Sequence, residues 1–214
     1  LYSDFANRAE IAEIVRFKTT YKPDAKDGAS DMDTAGKDAG TANASAQNAA
    51  AKTAGEWTSF ADYVQRMKSG QKSIYYISGN NETMLRNSPL LESFKAEGIE
   101  VLIMDEEIDS IVMPMVQDYD KTPIKAVNHI DIDAEIKPEK SEADEGKFAT
   151  LLAKMKEILK NEVKDVKLSS RLSESAAVIV YDKNDPDYAT QMMLKQMGHS
   201  AGKILPILEI NPKH

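Results

Sequence analysis

The sequence predicts an α/β fold, a helix-covered and mostly parallel sheet, followed by a smaller α+β domain. Two observations predict it. Between residues 57 and 130, helix-period stretches alternate with short apolar runs, the pattern of strands covered on both faces by helices. After a charge-dense stretch at 131–146, one amphipathic helical segment precedes several β-branched runs.

Residues 4–18 read as a helix, with Ile11, Ile14 and Val15 forming a short stripe at spacings of three and four. From 23 to 55 the composition turns to Ala, Asp, Gly, Ser, Thr, Asn and Lys, with Met32 as the one large apolar side chain. Such a segment buries too little apolar surface to offset its ordering entropy, and it reads as a flexible surface insertion. Ser59 with Asp62 three residues on is a capping signal. The helix it opens puts Phe60, Tyr63, Val64 and Met67 on one face and closes near Gly70. Ser73–Ser78 is a β-branched and aromatic strand, ended by the turn Gly79-Asn80-Asn81.

Pro89 starts the next helix, which buries Leu90, Leu91 and Phe94 and stops at Gly98. Ile99–Met104 follows as a strand. A helix over 107–118 is predicted to bury Ile108, Ile111, Val112, Met115, Val116 and Tyr119, with Pro114 loosening its middle. On that reading Ser110, Met113 and Gln117 face water. Ile124–Ile130 is a further short strand.

Nine of the residues in 131–146 are Asp, Glu or Lys, which marks a charged, solvated linker. It divides the chain into 1–130 and 147–214. Phe148, Leu151, Leu152, Met155, Ile158 and Leu159 then mark an amphipathic helix, and Val163–Leu168 and Ala176–Tyr181 read as strands. Pro186 precedes a methionine-rich helix, Tyr188–Met197, closed by Gly198, and Leu205–Ile210 is a last strand. Met192, Met193 and Leu194 are adjacent. Helical neighbours stand about 100° apart, so with Met197 they carry more apolar surface than one narrow face can bury. Methionine is flexible and polarisable, which suits a surface that accepts many partners. The bland alternative assigns both methionine clusters to ordinary cores.

Most function classes lose ground on composition. The net charge of −8 argues against a phosphate-binding surface and so against nucleic acid. No run approaches the roughly 18 apolar residues of a membrane span. With no cysteine among 214 residues, thiolate catalysis and cysteine-ligated metals drop out, and a reducing cytoplasmic location fits. There is no Gly-rich phosphate loop, no nucleophile elbow and no paired histidine: His129, His199 and His214 are scattered. Catalytic residues and metal ligands are therefore not assigned. The acidic cluster Asp105, Glu106, Glu107 and Asp109 reads as helix capping before it reads as a cation site.

Several runs, taken in order, resemble the heat-shock protein 90 chaperone family in its bacterial HtpG type. Asp4-Phe5-Ala6-Asn7 leading to Val15-Arg16-Phe17, and above all the stretch from Asp62-Tyr63-Val64-Gln65-Arg66-Met67 to Tyr75-Tyr76-Ile77, are similar to the C-terminal part of the family's middle domain. Asn87-Ser88-Pro89 and Gly98-Ile99-Glu100-Val101-Leu102 follow at the family's spacing. Val163-Lys164-Asp165-Val166, Ser170-Arg171-Leu172 and Leu208-Glu209-Ile210-Asn211-Pro212 resemble its C-terminal domain.

The resemblance implies part of an ATP-dependent, homodimeric chaperone whose clients are unfolded or partly folded proteins. The chain, opening at Leu1 without a start methionine and stopping at His214, is expected to be a fragment. ATP and magnesium belong, by the resemblance, to the full-length parent, and no cofactor to this chain. Arg16, Arg66 and Arg171 match motifs other than the phosphate-contacting arginine. By the resemblance the family's N-terminal ATPase domain is missing and 147–214 is a C-terminal domain cut before the dimerisation helices, so the fragment is expected to be monomeric and without ATPase activity. The family's acidic–aromatic client pair maps onto Ser110 and Ile111, where charge and ring are both missing, leaving Met113 to supply apolar contact. Its amphipathic client helix maps onto Tyr188, Met192, Met193, Leu194 and Met197. Two other classes stay open: a small α/β ligand-binding or enzymatic domain using strand ends near Gly79 or Asp105, and a purely structural connector.

Overall fold

Three parallel strands organise the larger part of the chain. In the computed structural model, β3 (Ile74–Ser78) lies between β4 (Leu102–Met104) and β6 (Thr122–Ala126), parallel to both. The structure describes residues 7–22, 57–106, 108–113, 116–129, 136, 142–182, 185–186, 191, 195, 198 and 204–214, with backbone alone at 8–9, 110–111 and 142–145. The expected 23–55 insertion lies outside them.

The margins of this sheet correct the expectation of mostly parallel pairing. β1 (Phe17–Thr19) runs antiparallel to β4, β2 (Trp57–Thr58) antiparallel to β1, and β5 (Asp118–Tyr119) antiparallel to β6, giving the order β2-β1-β4-β3-β6-β5. Asp120 and Lys121, both at positive φ, make the two-residue hairpin turn between β5 and β6, the backbone that matches strand twist. The expected helix at 4–18 is likewise shorter: α1 spans Arg8–Ile14, and Val15 is already extended. Phe17 and Thr19 alternate inward with Lys18 between them, so the segment follows a strand period.

Local signals account for most other elements. α2 (Phe60–Arg66) opens on a complete capping box: the Ser59 hydroxyl accepts from the Asp62 amide at 3.0 Å, and the Asp62 carboxylate accepts from the Ser59 amide. α3 (Glu82–Arg86), for which no element was expected, is capped by Asn81 accepting from the Met84 amide at 3.0 Å. Pro89–Leu91 is a single 3₁₀ turn running into α4 (Glu92–Glu97), which Gly98 ends in the left-handed conformation. α6 (Glu142–Ile158) begins inside the stretch expected to be linker, and Ile136 from the same stretch packs on the core. Beside α6 a second sheet pairs β7 (Asp165–Leu168), β9 (Ile207–Ile210) and β8 (Ala177–Val180), with β7 parallel and β8 antiparallel to the central β9.

Alternation along β3 sorts the core into two clusters. Ile74 and Tyr76 face Phe17, Phe60, Tyr63 and Leu102. Tyr75 and Ile77 face Leu91, Phe94, Val101 and Ile103, and this cluster continues into Val178, Val180 and Ile207 of the small sheet and Leu172 of the loop after β7. The two sheets thus share one apolar interior. A buried ion pair sits at its edge: Arg171, 2% exposed, approaches Glu209 at 3.2 Å and donates to the carbonyls of Val127 and His129.

Candidate protein-binding surface

The face of the helix after Asp105 is turned from its expected orientation. α5 is one turn, Asp109–Val112, and Met113 continues in 3₁₀ geometry. Asp109, Val112, Met113 and Val116 stand at i, i+3, i+4 and i+7, and this row turns inward, with Met113 only 2% exposed in the cluster around Phe60. Ile108, expected inside, is 54% exposed. Met113 is therefore a core side chain, which corrects its expected role as exposed contact surface. The cause lies at the start of the turn. The Asp109 carboxylate accepts from the Glu106 amide, anchoring that edge inward, and its burial raises its pKa. Ser110 and Ile111 lie on α5, and their side chains fall outside the described residues. Tyr188, Met192, Met193, Leu194 and Met197 lie outside them entirely. Gln191 and Lys195 have helical backbone, and Gly198 turns at φ 82°.

The strand ends near Asp105 are occupied by the chain itself. Lys18 reaches Asp105 at 2.7 Å and Glu82 at 2.9 Å while lying over the Trp57 ring. Hydrogen bonds to both carboxylates raise the Lys18 pKa, so the ammonium stays charged and the two acids are taken. Among the described residues no His, Asp and Glu group of three or more is arranged to hold a metal ion, and no helix is long and apolar enough to cross a membrane.

Surplus apolar surface does exist, on the amphipathic helix α6. Phe148, Leu152, Met155 and Leu159 are half-buried, at spacings of four, three and four along α6 and the turn that ends it. The six apolar positions of the stripe, however, span roughly 120° of arc, and a helix lying beside one edge of a three-stranded sheet covers only part of that. Leu151 and Ile158, seven residues apart on one flank, remain 46% and 69% exposed. Among the described residues Ile14, Met84, Ile108, Trp57 and Ile179 are also exposed, each from a different element. Single exposed aliphatics are ordinary. A paired row beside a half-buried stripe is a surface that another polypeptide can extend.

A family model described as Hsp90 protein matches residues 46–214. Chaperone protein HtpG of Wolinella succinogenes is 40% identical over 218 residues, covering the whole chain and 30% of the relative. Chaperone protein HtpG of Treponema denticola is 42% identical over 219 residues, again with the whole chain and 30% of the relative covered. That of Campylobacter jejuni (serotype O:23/36) is 51% identical over 156 residues, which is 73% of this chain and 25% of the relative. The chain thus spans about 30% of the length of the curated relatives that it matches along its whole length.

Proposed function

The chain belongs to the Hsp90 family, and on that premise we propose that it supplies client-holding surface to a chaperone of the HtpG kind. The observation that carries the reading is the open apolar row of Leu151 and Ile158 on α6. Non-native polypeptides offer exposed aliphatic and aromatic side chains, and burial of such groups against a pre-formed helix is the non-directional attraction that lets one surface take many sequences. The segment from Tyr188 to Met197, with Met192, Met193, Leu194 and Met197, is proposed as a second part of this surface, and Ser110 and Ile111 on α5 as a third. Met113 plays no direct part, being sealed in the core.

In this reading the segments 1–130 and 147–214 correspond to a middle-domain part and a C-terminal-domain part of a longer, cytoplasmic, ATP-driven homodimer. Nucleotide hydrolysis belongs to that whole protein, and these residues hold clients. The test is a titration of a permanently unfolded, fluorescently labelled polypeptide with the chain and with its Met193→Ser/Met197→Ser variant. Each anchor buried at a protein interface is worth about 1–2 kcal/mol, so the double variant binds at least roughly tenfold more weakly. Equal affinity in a folded variant refutes this part of the surface.

A further inference from the structure

Directional contacts join the large and small sheets at two places, and one loop, residues 169–176, takes part in both. Arg171 reaches out of it and donates to the carbonyls of Val127 at 2.8 Å and His129 at 3.1 Å, just past β6. Beside it the Tyr181 amide donates to the Asn128 carbonyl at 2.9 Å. On the other side Glu92, the first residue of α4, reaches up to the same loop. Its Oε2 accepts from the amides of Ser173 at 2.6 Å and Glu174 at 2.9 Å, and its Oε1 from that of Ser175 at 3.1 Å. The Ser173 hydroxyl donates to Oε2 as well, at 3.3 Å. Three consecutive amides converging on one carboxylate form an anion-holding concavity, here filled by the chain's own side chain.

We propose that these contacts form a two-point clasp: Arg171 is the fixed pivot, and Glu92 is a releasable catch that sets the orientation of the small sheet against the large one. The asymmetry follows from solvent. Arg171 is 2% exposed and paired with buried Glu209, so its withdrawal would strand charges away from water. Ser173 and Glu174 are exposed, so water replaces the carboxylate on those amides when the catch opens. Phe94 of α4 and Leu91 of the turn before it are buried and anchor this segment independently of Glu92. The aliphatic contacts of Leu172, Val178, Val180 and Ile207 with the large sheet are non-directional and tolerate a small rotation, so the hydrogen bonds fix the angle. Glu92 is in this sense a positioning residue.

The chain has no cysteine, which makes spin labels at Asn80→Cys and Lys213→Cys, both exposed positions, unique reporters of inter-sheet distance. The expected result is one narrow distance distribution in the parent. Glu92→Gln gives a broader or bimodal one, with at least tenfold faster hydrogen exchange at the amides of 173–175. Glu92→Asp, which keeps the charge on a shorter arm, falls between them. Accelerated exchange with an unchanged distance distribution would overturn the clasp, because the contact would then be local only. Acceleration extending to the buried amides of Phe94 and Leu102 would overturn it too, by showing unfolding in place of release.

Discussion

Replacing Arg171 with Leu is the sharpest perturbation of the fold. The side chain is 2% exposed, donates to two backbone carbonyls and faces Glu209, itself 2% exposed. Removal leaves Glu209 charged in the interior without this cation, while the Ser169 hydroxyl still donates to it at 3.0 Å. Breaking a buried pair from one side costs about 3–5 kcal/mol, because the survivor keeps its desolvation without its partner. Lost bonds to the Val127 and His129 carbonyls act in the same direction but do not simply add. Against a total stability of about 5–15 kcal/mol this is a fifth or more. For a chain of this size it corresponds to a melting temperature lower by roughly 6–20 °C. Urea unfolding followed by far-UV circular dichroism measures it, with Arg171→Lys expected between the two. Lys164→Ala, at a solvent-exposed pair with Asp182, is the control and leaves the midpoint unchanged. A loss below about 1 kcal/mol for Arg171→Leu would refute the reasoning, since repacking would then have compensated for the missing charge.

Ser59→Ala removes half of the α2 capping box and lowers stability by about 1 kcal/mol in the same urea assay. Glu92 carries a pH signature. Burial opposes its ionisation, but hydrogen bonds from Ser175, Glu174 and Ser173 outweigh that and hold its pKa at about 2. Its contribution is therefore fully present above the ordinary carboxylate value of 4.5 and is lost as pH falls from 4.5 towards 2. Glu92→Gln flattens that acid limb of the stability curve, and an unaltered limb would count against the contact.

Legibility in the sequence followed the range of each signal. The capping box at Ser59 and Asp62, the strand at Ile74–Ser78 and the Gly98 terminus are local, and each stands where the spacing places it. β2 is two residues long and has no period to detect. At α5 the expected and observed faces differ by one position because both 108/111/112/115 and 109/112/113/116 are helical rows. Counting apolar residues favours the first, whereas the Asp109 carboxylate bound to the Glu106 amide selects the second. Glu209 could have been found: in Ile207-Leu208-Glu209-Ile210 it shares a face with Ile207, so a period of two predicts a buried carboxylate in need of a partner. Nothing local identifies Arg171 as that partner, nor Glu92 as the acceptor for residues 173–175. Both are products of packing between sheets. The exposure of Leu151 and Ile158 was hidden for the same reason, since a wide apolar stripe shows what a helix can bury, and only the narrow neighbouring sheet shows how much of it is covered.

Leu151→Ser/Ile158→Ser gives the most direct measurement, by fluorescence anisotropy titration of a labelled, permanently unfolded polypeptide. Full burial of an aliphatic side chain is worth about 1.5–3 kcal/mol. The two open fractions, 46% and 69%, leave roughly 2–3 kcal/mol to be gained on binding, part of which ordering at the interface offsets. The account predicts affinity weakened about 10- to 100-fold with the fold intact. Undiminished affinity in the folded double variant would contradict it, and α6 would then be a scaffold helix with two aliphatics in water.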